Sequence, residues 1–282
     1  KTGVILFNGV GVKSLLYEDE RFTLGFSTGV SKRFDRVCIA TGSMKSSTLT
    51  QSIEDLGHTI EPLAPSLFAF DIKDERLKEL AGIAVKNASV RIPPKGKFQT
   101  GPVLITHRGL SGPSILKLSA WEARQLNELN YEFQIELNWL GDRNKSDLQT
   151  LFSRLRNQHG QQLIKTKVFE SLPKRLWEKI LKHLKMSDTM QWAQLPKKME
   201  TELIQELLSA RFQVSRKTMN KEEFVTCGGI CLKEVNFKKM ESQVIPHLYF
   251  AGECLDYDGI TGGFNFQGAW TTGYIAGTAM AK

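Results

Sequence analysis

Between positions 252 and 270 the chain reads GECLDYDGITGGFNFQGAW, a glycine-rich stretch almost without positive charge in an otherwise basic protein. Gly259, Gly262 and Gly263 carry no Cβ, so φ can be positive there and a flat ligand can approach the backbone. Gly252, Glu253, Asp256 and Asp258 stand on one side of them, and Phe264, Asn265, Phe266 and Gln267 on the other. A run rich in small residues follows (Ala269, Gly273, Ala276, Gly277, Ala279), so the loop delivers a helix N-terminus. Its exposed N–H groups and the positive end of the macrodipole favour partial negative charge, such as the N1–C2=O edge of a reduced flavin. The amide side chains can read a ring's polar edge. A carboxylate just after a parallel strand, here Glu253, commonly bonds a ribose or ribityl hydroxyl. A turn that only lets helix and sheet pack closely would use the same glycines, and that alternative stays open.

The strand feeding this loop is the apolar run Leu248, Tyr249, Phe250, Ala251. It mirrors a second apolar run near the other end of the chain, residues 37–40, which ends in Thr41, Gly42 and Ser43. Two continuously apolar strands ending in small residues predict one α/β domain interrupted by the middle of the sequence, with Thr41 and Gly42 as further ligand contacts. Before the first run, three short β-like segments separated by turns predict an antiparallel meander. The character changes near Gln51, where a helical stretch stops at Gly57 and Pro62 and Pro65 follow. Residues 85–92 and 98–105 read as strands, and Tyr131, Phe133, Ile135, Leu137 and Trp139 alternate with polar residues over one sheet face. A barrel or sandwich is expected, with Ser111 or Ser114 capping the helix that carries Ile115. Helices dominate from about 146 to 208.

The 282 residues suffice for roughly two domains. No apolar run approaches the roughly 18 residues a membrane-spanning helix needs, and no membrane association is expected. Four cysteines do not make a disulfide framework, so a reducing cytoplasm is the simpler location. The first residue is Lys1, and the chain is expected to be a fragment. The net charge of +8 is concentrated at 164–199, where nine Lys/Arg face three acids. There Phe169, Leu172, Leu176, Ile180 and Leu184 recur at helical spacing, which makes the lysines the solvated face of an amphipathic helix; a nucleic-acid patch is the competing reading. Cys227 and Cys231 lack the second pair a zinc site requires, so no metal is expected. His107 and Arg108 are the weak catalytic candidates, able to position a carbonyl or carboxylate, with a turn-stabilising pair as the alternative.

The segment from 222 to 277 resembles the C-terminal signature of the YhiN-like NAD(P)/FAD-dependent oxidoreductases, also labelled the aminoacetone oxidase family. The likeness rests on V-T-x-G-G at 225–229, K-x-M-E-S at 238–242, an L-Y-F-x-G-E run preceded by His247 where glycine is usual, and G-G-F-N-F-Q at 262–267. THRGLSGPSILKLS at 106–119 and LGHTIEPLAPSL at 56–67 resemble the same family's insert. The resemblance implies a Rossmann-like FAD-binding domain at 1–50 and 222–282, interrupted at 51–221 by a β-barrel followed by helices. It also implies FAD as cofactor, NAD(P)H as a transient reductant and a small-molecule substrate. The family opens on a strand and a G-x-G-x-x-G turn that this sequence does not contain; NGVGVKS leads into a strand instead. A basic RNA-binding or tRNA-modifying flavoprotein module, and a non-catalytic remnant, are the other functions to be weighed.

Overall fold

The structure is a computed structural model describing residues 3–166, 169, 171–217 and 225–282. In chain order it contains β1 (Val12–Glu18), β2 (Arg21–Phe26), β3 (Ser31–Phe34), β4 (Val37–Ile39), α1 (Ser47–Asp55) and β5 (Ile60–Ser66). Next come β6 (Phe70–Asp71), β7 (Ala84–Arg91), β8 (Gln99–Ile105), β9 (Gly109–Ser111), α2 (Pro113–Trp121), α3 (Ala123–Glu128) and β10 (Phe133–Asn138). Helices α4 (Lys145–Gln158), α5 (Lys174–His183) and α6 (Lys197–Leu208) precede β11 (Ala210–Val214) and β12 (Arg216–Lys217). The chain ends with β13 (Val225–Ile230), β14 (Val235–Asn236), β15 (Glu241–Ser242), β16 (Leu248–Phe250) and α7 (Phe264–Met280). Two compact units divide these elements, one of residues 3–66 and 225–282, the other of residues 67–217.

In the first unit β1, β2 and β3 form the expected antiparallel meander. The two apolar runs from opposite ends of the chain pair in parallel, Val37 opposite Leu248 and Ile39 opposite Phe250, within a sheet ordered β14-β15-β16-β4. Their residues are largely buried because a strand covered on both faces has no solvent side. The chain leaves this unit on β5 and returns on β13, and those two strands pair with each other, Ser66 opposite Val225. Pro62 and Pro65 lie within β5, which tolerates them because it pairs on one edge only. The helical stretch stopped at Gly57 is α1, which packs on β1. The second unit therefore opens at residue 67 rather than at 51. Its other expected boundary, at 221, lies outside the described residues, as do Lys167 and Glu170 of the basic segment and residues 222–224 of the flavin-type signature.

In the second unit all strand pairs are antiparallel, in the order β11-β10-β7-β8-β9-β6-β12. Strands β11 and β12 are one stretch of chain bent at Ser215, whose N–H donates to Asp71 O at 3.1 Å. The two ends of the strand order are thus joined covalently, and the sheet closes nearly into a barrel. Phe70, fully buried, meets Phe133 edge to face at 5.1 Å, and Trp139 meets Phe212 likewise at 6.0 Å. Helices α4, α5 and α6 complete the same core through Phe152, Trp177 and Leu203.

Three local expectations are corrected. Gly112, not a serine, occupies the N-cap of α2, with Pro113 in its first turn; the Ser114 hydroxyl donates to Pro102 O instead. The alternation along β10 fails at Glu136 and Asn138, which are buried, the first by pairing with Arg91 at 2.7 Å and the second by bonding the turn at Leu140 and Arg143. The amphipathic helix is confined to α5, because Pro173 starts it and turns occupy residues 184–191; Phe169 and Leu172 are buried ahead of it.

His58, isolated in sequence, is a core residue of the first unit. Its side chain is fully buried, with Nδ1 2.9 Å from Glu234 Oε2 and Nε2 2.8 Å from Ser242 Oγ. Ser242 Oγ already accepts the N–H groups of Val244 and Ile245, so its proton points to Nε2 and the imidazole is neutral, donating through Nδ1 to the carboxylate. Burial pushes the His58 pKa below the ordinary 6.5, despite Glu234.

Two outcomes follow from this packing. Phe70→Ala removes a fully buried ring and is expected to cost about 3–5 kcal/mol in urea unfolding of the second unit. Four of the five tryptophans lie in that unit, so indole fluorescence reports the transition. Because His58 binds a proton more weakly folded than unfolded, its contribution to stability is complete above about pH 6.5 and is lost as pH falls toward its lowered value. Melting temperatures between pH 7.5 and 5 should fall less steeply in His58→Gln; equal slopes would remove this tie from the acid response.

Candidate functional site

The parallel pair β4–β16 places two chain ends side by side, each leading into a glycine with positive φ, Gly42 (73°) and Gly252 (77°). Gly252 begins a short 3-10 turn (Gly252–Cys254), and its N–H donates to Thr272 Oγ1 at 2.9 Å, tying the strand end to the third turn of α7. Glu253 reaches across the gap. Its Oε1 accepts the Thr226 N–H of β13 at 2.9 Å, and its Oε2 lies 3.8 Å from where a Cβ on Gly42 would stand. Ser43, next in the chain, has an enclosed hydroxyl with no hydrogen-bond partner among the described residues.

Close backbone approach explains the glycine pair of the V-T-x-G-G run. A Cβ on Gly228 would lie 2.3 Å from Pro62 O, and one on Gly229 would lie 2.5 Å from Cys254 O. Strand β13 therefore bulges between β5 and the loop after β16, and Ile230 O accepts the Asp256 N–H at 3.0 Å.

The loop is then pinned to α7. Asn265 uses both ends of its amide on one residue, accepting from Gly259 N at 2.7 Å and donating to Gly259 O at 2.9 Å. Tyr257 donates to Phe264 O at 3.0 Å and lies over Gly268, where a Cβ would come within 2.5 Å of its ring. Asp258 accepts from Ser66 Oγ at 2.6 Å. Asn265 thus positions the loop rather than facing outward, and Tyr257, which its spacing in the sequence does not single out, has the same task.

Helix α7 starts at Gly263 (φ 87°) with no side chain capping it. A Cβ there would meet nothing within 4 Å, so the space beside the first turn is open. Phe264, Phe266 and Gln267 stand exposed around it, Gln267 bonded only to Thr271 Oγ1 at 3.0 Å. The ring of Phe266 stacks on Trp270 at 6.1 Å, and Trp270 and Tyr274 continue an exposed aromatic stripe. Thr41 is exposed at the end of β4. The open N–H groups of α7, the glycine-bordered strand ends and the bridging Glu253 lie in the same unit and offer backbone donors beside a carboxylate acceptor.

The remaining candidates lie elsewhere. His107 and Arg108 occupy the turn between β8 and β9 in the second unit; Arg108 is held by Asp71 at 2.8 Å, and His107 is exposed. Burial pushes the Cys254 thiol up to about 12, so it stays protonated, and its Sγ lies 3.3 Å from Ile39 O. Among the described residues no group of three or more His, Cys, Asp or Glu is placed to hold a metal, and no helix is long and apolar enough to cross a membrane.

A nearly closed barrel with attached helices, inserted through a paired stem into a mixed α/β unit, defines the class of protein. Residues 64–225 match the family model described as the HI0933-like protein barrel and H2TH domain, and the chain belongs to that family. It is 32% identical over 273 residues to a ribosomal RNA dihydrouridine synthase of Escherichia coli (strain K12), covering 93% of this chain and 64% of that protein. It is 26% identical over 287 residues to a 3-dehydro-bile acid delta(4,6)-reductase of Clostridium scindens, covering 99% and 70% respectively. A ribosomal RNA dihydrouridine synthase of Haemophilus influenzae is 28% identical over 235 residues, 82% of this chain and 55% of that protein. The chain thus spans less than two thirds of the two synthases.

Asn265→Ala is expected to free the loop at 255–263, because Gly259 loses both partners, at a cost of about 1–3 kcal/mol. Hydrogen exchange of peptides covering that loop should quicken while exchange in the second unit stays unchanged. Unaltered protection would show that the amide does not hold the loop.

Proposed function

We propose that the first unit is the ring-binding part of a Rossmann-like FAD domain, and that the protein reduces a carbon–carbon double bond conjugated with a carbonyl. The observation that carries this is the parallel β4–β16 pair, whose carboxyl ends open into Gly42 and Gly252 with Glu253 between them. Ligands of open α/β sheets sit outside the carboxyl ends of such strands. The residues fit a flavin: the first turn of α7 is uncapped, the space at Gly263 is open, and the Ser43 hydroxyl is enclosed without a partner among the described residues. The bound flavin would supply hydride chemistry, with NAD(P)H as the proposed reductant.

In this reading the N–H groups at the start of α7 would hold the polar edge of the ring and favour partial negative charge there. Glu253 would hold a ribityl hydroxyl through Oε2 while Oε1 stays on Thr226. Gln267 offers its amide to the ring's polar edge, and the loop locked by Asn265 excludes water from beneath it. Neither His107 nor Arg108 is given a catalytic part. The reaction class comes from what the relatives' names have in common. Dihydrouridine is formed by saturating the uracil double bond beside its C4 carbonyl, and a delta(4,6)-reductase saturates double bonds in line with a 3-oxo group. Hydride adds to such bonds because the carbonyl accepts the charge.

FAD titrated into the purified chain is expected to show quenched flavin fluorescence. Gln267→Ala should weaken binding about three- to tenfold without changing the melting temperature, since its side chain bonds only Thr271. Gly263→Val tests less, because its φ of 87° strains any branched residue whether or not a ring is near. Flavin reduced by NADPH without oxygen should be reoxidised by a uridine-containing RNA or a steroid dienone. A chain that binds neither FAD, FMN nor riboflavin overturns the reading.

A further inference from the structure

The second unit carries a cleft of about 780 Å³ that belongs to neither the loop nor α7. One wall is the turn between β7 and β8 with Lys95 and Lys97, the other is the corner of α2 and α3 with Lys117 and Trp121. Trp121 is 65% exposed, an unusual position for a large ring on a helix whose other apolar residues are buried or half-buried. Gln99 also lines the cleft, 9% exposed. None of the three lysines is ion-paired within the described residues, and Glu122 is the one carboxylate lining the cleft.

An open aromatic face, a side-chain amide beside it and three unpaired ammonium groups match the three parts of a nucleotide. A base stacks on the ring, its polar edge takes the amide, and the flanking phosphates take the lysines. We infer that this cleft binds single-stranded RNA, presenting the chain that carries the base to be reduced; as substrate recognition, this rests on the reductase reading above.

The more obviously basic surface is less suited. On α5 the Lys174 ammonium lies 3.7 Å from Glu178 and that of Lys179 lies 3.4 Å from Glu79, while Arg175 bonds Glu79 O. The one indole of that helix, Trp177, is 1% exposed and donates to Ile164 O. Nothing there can stack on a base. Lipid or steroid ligands fit the cleft poorly, since its rim is cationic and a neutral ring system offers those ammonium groups no partner.

The test uses the full chain and a fluorescein-labelled, unstructured uridine-rich 12-mer RNA, with anisotropy followed across a salt series. Trp121→Ala is expected to raise Kd roughly tenfold with the salt dependence unchanged. Joint replacement of Lys95, Lys97 and Lys117 by alanine should reduce the slope of log Kd against log salt by about 2, the share of three phosphate contacts on a single strand. Gln99→Leu should weaken binding a few-fold with no change in slope. Circular dichroism melts check that each variant folds. Wild-type affinity in both Trp121→Ala and Gln99→Leu overturns the inference, as does loss of binding only when Lys174 and Lys182 of α5 become glutamate. Absence of RNA binding at low salt overturns it too. Flavin absorbance is read on the same samples: cleft-dependent RNA binding without flavin uptake upholds the RNA site and removes the reductase reading. Flavin uptake with RNA binding indifferent to the cleft does the reverse.

Discussion

The parallel pairing of β4 with β16 is the constraint on which the first unit depends. Those three-residue strands come from opposite ends of the sequence, so their hydrogen bonds form only after the whole insert has been looped out. Closing so long a loop costs entropy that grows only slowly with its length, which is why the insertion is tolerable. What makes it specific is the stem. Because β5 and β13 pair, the chain departs and returns at one place, and the second unit can fold around its own core while the first keeps its sheet. The buried tie from His58 to Glu234 and Ser242 works in the same direction, joining the segment before the insert to two segments after it.

The same pairing creates the gap that the glycines border. Two strands that end side by side release two chains there, and each turns away on a glycine of positive φ, Gly42 and Gly252. Gly228 and Gly229 are needed because β13 is threaded between neighbouring backbones. Gly263 differs, since a Cβ there would meet open space; its positive φ sets the direction of α7. Glycines that look alike in a motif therefore separate into those that permit packing and those that shape an opening, and only the second kind bears on a ligand.

Much of this was legible in the sequence. Apolar runs bounded by small residues identify β4 and β16, turn residues at regular intervals identify the meander, and the clustered glycines and carboxamides mark the loop before α7. Other features leave no pattern to read. Strands β6 and β12 are two residues long, yet they close the barrel, because closure depends on Ser215 bending one strand into two partners. Asn265 reads as a ligand contact by type, whereas in the structure its amide is spent on Gly259. His247, which stands where the resembled signature has glycine, takes φ of 65°, and its residue type gives no sign of that conformation. The RNA-type cleft escapes sequence reading altogether. Its residues come from two separate stretches, Lys95, Lys97 and Gln99 at the β7–β8 turn and Lys117 and Trp121 on α2, which only the fold brings together.

Hydride addition to a conjugated carbonyl compound offers an enzyme few handles at the reacting atoms, because the double bond and its carbonyl are small and recur in many metabolites. Selectivity for one such compound has to come from binding its remote parts, and that binding energy can then serve to orient the reactive end. For a base within RNA the remote parts are phosphates and neighbouring bases; for a steroid they are an apolar ring system. These demand opposite surfaces, one cationic with open aromatic faces, the other dry and enclosed. Under the proposed function the loop before α7 would serve either substrate, since its donors would address the flavin. The insert is the part of the chain whose surface must differ between them, and in this protein that surface carries unpaired lysines beside an exposed indole.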